Sequence, residues 1–477
     1  MGAMPERFPR EVYLLTARQL SPETIAVTFA KTSRSPQSFR QIAAELSDEA
    51  SAEFHEKWVV GYGHASVAEH AVLHLAFENL SRLAVETIES NRLASYTEKS
   101  TRYQTWDPEG FHVPSELTGT PHESAYRRTC EMLFSVYRDS LERLAAVVRR
   151  STPRRESESD ERWDSRIRSR YVDACRYLLP AASLANVGMT ANARVLEHAL
   201  HKMLSSRLAE VRAVGAEVKA VAVREVPTLL KHANLSPYLQ QAENDLMQAA
   251  AALPGADVGD WLKLTAEDPQ GELRVLASAL YPHSLAGIEA LEAYVGGLDA
   301  DGRRALATAL LGKLGRFDAP LRALEHQTFS AEVVLDQGAY FELKRHRLMT
   351  QTPQRLTAEL GYAVPRLFAE AGFEPEYHAA MQSAAATYRS LAAWNPEVAA
   401  YVVPNGFNRR VLMTFNLRQA YHLIELRSAA NAHFAMRRVA LRLADEIRRA
   451  SPLLASWLRL PEGTDWRQVE AEHFVRA

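Results

Sequence analysis

The chain has 477 residues and is 47% hydrophobic, enough for two or more domains with sizeable cores. Its 56 basic and 58 acidic residues leave a formal net charge of −2, which excludes a global attraction to nucleic acid or to an anionic membrane. No uninterrupted apolar run reaches about 18 residues, so no membrane span is predicted, and Met1 to Pro9 lacks the apolar core of a secretory signal. Cys130 and Cys175 stand in no C-x-x-C pair, so they read as buried packing residues in a reducing, cytoplasmic setting.

In chain order, one pattern is written twice. Tyr13-Leu-Leu-Thr-Ala-Arg-Gln-Leu-Ser-Pro comes first, and Leu46-Ser-Asp-Glu then opens a helical pattern that runs to the pair Glu69-His70. Leu73, Leu75 and Phe77 alternate with His74 and Ala76, which predicts a strand. An Arg-containing segment around Arg92 leads into Glu98-Lys-Ser-Thr-Arg-Tyr103, read as a loop. The charged stretch from about 149 to 170 predicts a solvated, mobile insertion. Leu178-Leu-Pro180 follows, then Asn192-Ala-Arg194 and helical spacing from Ala193 to Arg224. Leu-Pro-Gly and Asp-Pro-Gln-Gly break the pattern between Ala250 and Gly271.

The same order then returns: Arg274 to Pro282, Leu298-Asp-Ala-Asp, Glu325-His326, an Arg segment around Arg347, Val402-Val-Pro404 and Asn416-Leu-Arg418, with helical spacing from Phe415 to Arg449. The offset is about 256 residues at the Glu-His pairs and about 224 at the Asn-x-Arg pairs, so the first copy holds roughly thirty extra residues. A repeat this long is a duplicated domain, not a solenoid unit. The predicted organisation is a module over 1–250, a linker over 251–271 and a second module over 272–477. Each is α+β, helix-rich with small antiparallel sheets.

Three segments offer chemistry. Lys344-Arg345-His346-Arg347 places cationic and polar side chains in a row, suited to phosphates because guanidinium forks match their oxygens; taken alone, a solvated basic turn is the better account of the row. Asn416 and Arg427 are eleven residues apart and share a helix face, with Arg418 and His422 as an i, i+4 pair beside them; the plain alternative is a helix edge in water. Ser100, two residues before Arg102, supplies a hydroxyl able to hold a phosphate or carboxylate. His64, Glu69, His70 and His74 do not have H-E-x-x-H spacing, and no metal is expected. Neither a Rossmann nor a Walker glycine pattern is present, and no Ser/His/Asp or Cys/His arrangement stands out.

Together these fragments resemble the flavin-dependent thymidylate synthase family, with two divergent modules in tandem. The family signature runs Arg-His-Arg-x-x-Ser-x-Asn-x-x-Ser-x-Arg-Tyr, between a Gly-His-x-Ser/Thr-x-x-Glu-His segment and a later Arg-x-x-Leu-Pro, with Asn-x-Arg on a helix and a further Arg eleven residues after that Asn. The first copy keeps Gly63, His64, Ser66, Glu69 and His70, then Ser100, Arg102, Tyr103, Arg176, Asn192 and Arg194; it has Ser90 at the opening Arg and Met203 at the helix Arg. The second keeps Arg345, His346, Arg347, Asn416, Arg418 and Arg427, but has Arg355, Thr357 and Ala358 where the signature ends and Ala400 before its Pro.

The remains are complementary. The resemblance implies a pseudo-dimer with one composite site and one decayed site, two chains restoring a four-module assembly. At the composite site Glu98, Ser100, Arg102, Arg176 and Arg345 would bind the nucleotide. Arg427 would sit against the pyrimidine as the catalytic group. FAD would be held by His64, Ser66, Asn192, Arg194, Arg345, His346, Arg347, Asn416, Arg418 and His422. The implied reaction is C5 methylation of deoxyuridine monophosphate, with methylenetetrahydrofolate and NADPH as co-substrates and no DNA or membrane partner. Glu342 stands where the family has a nucleotide-contacting Gln, which keeps open a different pyrimidine or an RNA base as substrate. A non-catalytic flavin- or nucleotide-binding scaffold is the third reading.

Overall fold

The computed structural model describes residues 13–33, 35–61, 65–102, 104–253, 255 and 258–475. His64, Gly63 and Tyr103, named above, lie outside them. The chain divides into two compact units: Met1–Asn79, Ala84–Glu98 and Ala185–Leu253 form the first, and Leu80–Leu83, Lys99–Leu184 and Pro254–Ala477 the second. The stretch 99–184 therefore packs with the C-terminal half, so the compact units cut across the repeated halves of the sequence.

The repeat is written in the order of elements. In the first copy a 3-10 helix Ala65–His70 leads to strand β1 (Val72–Ser81), helix Arg82–Glu89, β2 (Ser95–Glu98), the long helix Glu123–Ser151, the 3-10 turn Arg176–Leu178, β3 (Leu184–Asn192) and helices Ala193–Leu204 and Ala209–Ala222. After β4 (Leu262–Glu267), the second copy gives a 3-10 helix Arg322–His326, β5 (Thr328–Asp336), helix Gln337–Leu343 and β6 (Thr350–Pro353). The long helix Glu374–Trp394, the turn Ala400–Val402, β7 (Asn408–Asn416) and helices Leu417–Ser428 and Phe434–Ala450 complete it. The sheets repeat as well: β1-β3-β2 in one, β4-β5-β7-β6 in the other. β2 meets β3 at Ser95↔Thr190, and β6 meets β7 antiparallel at Thr350↔Thr414.

Three expectations are corrected. The segment 251–271 is not simply a linker, since β4 lies in it and pairs with β5. The charged stretch 149–170 is mostly helical: one helix runs to Ser151 and the next spans Asp160–Cys175, capped by Ser159. Its charges are spent on ion pairs, Arg166 with Glu158 at 2.7 Å and both Arg149 and Arg168 with Asp164, and an acidic first turn suits the helix dipole. Helical spacing from Phe415 to Arg449 and from Ala193 to Arg224 is each broken in two, at 429–433 and at 205–208.

In the first unit, Val27, Ile42, Val85, Leu196 and Leu200 are buried, and Glu23 Oε1 accepts from the amides of Thr228 and Leu229. Inside the second unit the two Leu-Pro and Val-Pro segments pair with each other. The amides of Ala181 and Ala182 donate to Val403 and Tyr401, and those of Asn405 and Gly406 donate back to Leu179 and Tyr177. The reciprocity extends outward: Tyr126 Oη donates to His112 O at 2.6 Å, and Tyr377 Oη to Ala363 O at 2.7 Å. A Cβ at Gly406 would stand 2.5 Å from Tyr377 Oη, so the seam closes only with glycine there. The second unit thus carries a local two-fold relation between the copies at its centre. Among the described residues no helix is long and apolar enough to cross a membrane.

Candidate functional site

The second unit brings together side chains from distant parts of the sequence. Helix Asp160–Cys175 carries Asp173 near its end, and the turn that follows presents Arg176. Helix Gln337–Leu343, capped by Asp336 and buried along its length, presents Glu342. Arg427 stands in the last turn of helix Leu417–Ser428, where a cation also complements the dipole.

The carboxylates organise the guanidiniums. Arg102 donates from Nε to Asp173 Oδ1 at 2.9 Å and from Nη2 to Oδ2 at 2.8 Å, a bidentate pair, while its Nη1 donates to Asn431 O. Arg427 Nη1 donates to Glu342 Oε2 at 2.9 Å, and Glu342 Oε1 lies 3.8 Å from Arg102 Nη1. Glu342 therefore stands between two arginines, with only 7% of its surface exposed. Arg176 donates from Nη1 to Thr101 Oγ1 and from Nη2 to Gly338 O. Its Nε, 3.9 Å from Asp173 Oδ1, is buried and makes no hydrogen bond.

Two histidines complete the cluster as neutral groups. His346 Nε2 accepts from Arg427 Nε at 3.1 Å, which requires the proton on Nδ1. Burial first, then Arg427 and His422, pull its pKa down to about 3. His433 is fully buried and stacks with Phe434 and Tyr177, which also stack on each other; burial, then Arg176 and Arg102, hold it well below the ordinary value. Burial raises the Asp173 carboxyl, opposed by Arg176 and Arg102, and burial also lowers Arg427.

Of the expected site residues, Arg102, Arg176, His346 and Arg427 converge. Ser100 lies beside them in sequence, its Oγ accepting from the Arg102 amide. Arg345 is exposed and Arg347 half-buried in the turn after helix Gln337–Leu343, and the exposed His422 ring lies 5.5 Å from His346. Asn416 and Arg418 sit apart in role: Asn416 caps its helix through a reciprocal pair with Gln419, and Arg418 is engaged by Glu325 and Pro320 O. Glu98, Ser66, Asn192 and Arg194 belong to the first unit. There Glu98 ends β2, Ser66 is exposed, Asn192 caps a helix and Arg194 pairs with Glu69. Asp173 and His433 escaped sequence reasoning. The signal for Asp173 was an acid in the apolar run Tyr171-Val-Asp-Ala-Cys175, three residues before Arg176; His433 carries no local signal.

The second unit of this duplicated, helix-rich α+β chain thus holds a cluster of three arginines fixed by two carboxylates. The thymidylate synthase complementing protein family model matches residues 14–228 and 263–453, and the chain belongs to that family as a tandem duplication. A relative from Chlamydia muridarum named UPF0159 protein is 29% identical over 433 residues, covering 87% of this chain and 82% of its own length. A UPF0159 protein from Thermoplasma acidophilum is 29% identical, covering 88% and 91%. A flavin-dependent thymidylate synthase from Thermococcus kodakarensis is 27% identical over 195 residues, 40% of this chain and 67% of that protein.

Proposed function

We propose that this chain is an FAD-dependent enzyme that reductively methylates C5 of a uridine nucleotide, converting deoxyuridine monophosphate to thymidine monophosphate at one composite site per chain. The observation that carries the reading is the meeting of Arg102 and Arg176, from the first copy, with Arg427, from the second, around Asp173 and Glu342. Membership of the family and its flavin-dependent thymidylate synthase relatives support the reaction class.

In this reading Ser100, Arg102, Arg176 and Arg345 bind the nucleotide, and the resemblance also assigns it Glu98. Arg427, its guanidinium fixed by Glu342 and His346, stabilises negative charge developing on the pyrimidine without reorganising. For a flavin dinucleotide the second unit offers the guanidinium forks of Arg345 and Arg347, suited to a diphosphate, and the exposed imidazole of His422 near His346. The resemblance also assigns to FAD Ser66, Asn192 and Arg194 of the first unit and Asn416 and Arg418, here a helix cap and an ion-pair partner. Bound there, FAD supplies the redox chemistry, with methylenetetrahydrofolate giving the carbon and NADPH the electrons. A cytoplasmic homodimer of such chains belongs to the same reading.

The first test is the visible absorbance of the purified protein, titrated with deoxyuridine monophosphate. Flavin bands near one per chain, perturbed by the nucleotide, support the single composite site. A colourless protein that takes up no FAD overturns it. A second reading, the same chemistry on a different pyrimidine or an RNA base, is favoured by Glu342, whose carboxylate alters the charge the site offers. Turnover of free deoxyuridine monophosphate at ordinary enzyme rates would exclude that reading.

A further inference from the structure

We infer that Glu342 is the specificity-determining residue of the arginine cluster, occupying the position between Arg102 and Arg427 that a ligand's anionic group would take and so weakening the site's preference for a phosphomonoester. The inference rests on reading these arginines as the nucleotide cradle.

The geometry states the case. Glu342 Oε2 is 2.9 Å from Arg427 Nη1, and Oε1 is 3.8 Å from Arg102 Nη1. Arg102 has two further donors committed to Asp173 in a bidentate pair. The cluster's three arginines, Arg102, Arg176 and Arg427, are thus already faced by two carboxylates. Helix Gln337–Leu343 is buried and Glu342 is only 7% exposed, which holds its carboxylate beside the two arginines. A phosphomonoester near neutral pH carries about −1.5 to −2 charges. Brought beside Glu342 it meets a like charge in a water-poor setting, where such repulsion is weakly screened. A nucleoside, or a nucleotide whose phosphate is a singly charged diester, meets less. Glu342 thus narrows the advantage a phosphomonoester has over a nucleoside or a diester at this site, and the neutral isostere at the same position should restore it.

The experiment compares deoxyuridine, deoxyuridine monophosphate and inorganic phosphate on the flavin-loaded chain, as wild type and as Glu342→Gln. In wild type the phosphate should improve nucleotide affinity over the nucleoside by no more than about tenfold. In Glu342→Gln the ratio of deoxyuridine monophosphate affinity to deoxyuridine affinity should rise roughly tenfold or more, the selectivity that loss of one facing charge confers, because any loosening of Arg427 against the pyrimidine acts on both ligands alike. Inorganic phosphate should protect the variant from thermal unfolding more than the wild type. A wild-type preference for the nucleotide of about a thousandfold overturns the inference, and that measurement needs no variant to fold. So does an unchanged or reduced nucleotide-to-nucleoside ratio in Glu342→Gln, which leaves the nucleotide reading intact. If neither pyrimidine binds either form while phosphate still protects the variant more, the charge role of Glu342 stands and the nucleotide reading falls.

Discussion

The arginine cluster and its counterparts, about 224 or 255 residues away along the repeat, share a scaffold but not a chemistry. Arg176 answers to Ala400, Arg427 to Met203, and Glu342 to Thr87. Met203 is buried, at 2% exposure. In the second unit Glu397, which answers to Asp173, pairs with Arg355 at 2.7 Å, the two 22% and 34% exposed, against 6% and 18% for Asp173 and Arg102. The difference teaches that buried charges survive as a set. Removing one member strands the others in a poor solvent, so such a cluster is kept whole or exchanged for apolar and water-facing groups. Ser90 and Lys202 show the same retreat: Lys202 donates to Ser90 Oγ at 2.8 Å, and burial lowers that lysine to about 8.

The comparison breaks most visibly at Arg427. Arg427→Ala should lower turnover by about 10²–10³-fold; steady-state methyl transfer by a variant that still carries flavin is the check, and a loss below tenfold would remove Arg427 from the chemistry. Stability should separate the two regions next. Asp173→Asn strands Arg102 and should cost about 3–5 kcal/mol by urea unfolding, whereas Glu397→Gln, at the more exposed pair, should cost about 0–1 kcal/mol. Equal costs would deny that burial distinguishes them.

Acidification gives a graded effect, smaller for any one pH unit than the loss of Asp173. His346 is held neutral to about 3, against 6.5 unperturbed. Below 6.5 the unfolded chain takes up a proton that the folded one refuses, so this group's contribution makes stability fall as pH drops from about 6.5 towards 3, by up to ~1.4 kcal/mol per pH unit. His346→Asn should flatten that limb of the melting curve relative to wild type; parallel limbs would mean His346 titrates normally. Least of all, Thr357→Ala should leave turnover within about twofold, since its hydroxyl only accepts from the Glu359 amide. A loss matching that of Arg427→Ala would mean two working sites.

The duplication was legible because its markers are short and rigid: Glu69-His70 and Glu325-His326 fall on equivalent 3-10 helices, and Asn192 and Asn416 on equivalent caps. Ser47 and Asp299 likewise cap the helices their motifs predicted. Arg102, Arg176 and Arg427 were legible by type. What binds them was not, because Asp173 and Glu342 acquire their roles from contacts across the fold, and no spacing along the chain encodes that Glu342 reaches two arginines. The insertion was misread for a related reason. Its charges look solvated one at a time, but the Ser159 cap and the i, i+4 ion pair of Asp164 with Arg168 favour a helix.

The seam between the Leu-Pro and Val-Pro segments also bears on how the protein is made. Asn405 Nδ2 reaches back to Arg176 O across 229 residues, and Thr129 meets Thr387 across 258. Loop closure over such distances is slow, and none of it can begin until the ribosome has delivered the second copy. The nascent first copy must therefore wait with its half of the seam uncovered, so chaperone dependence and loss to aggregation during synthesis should track this one junction.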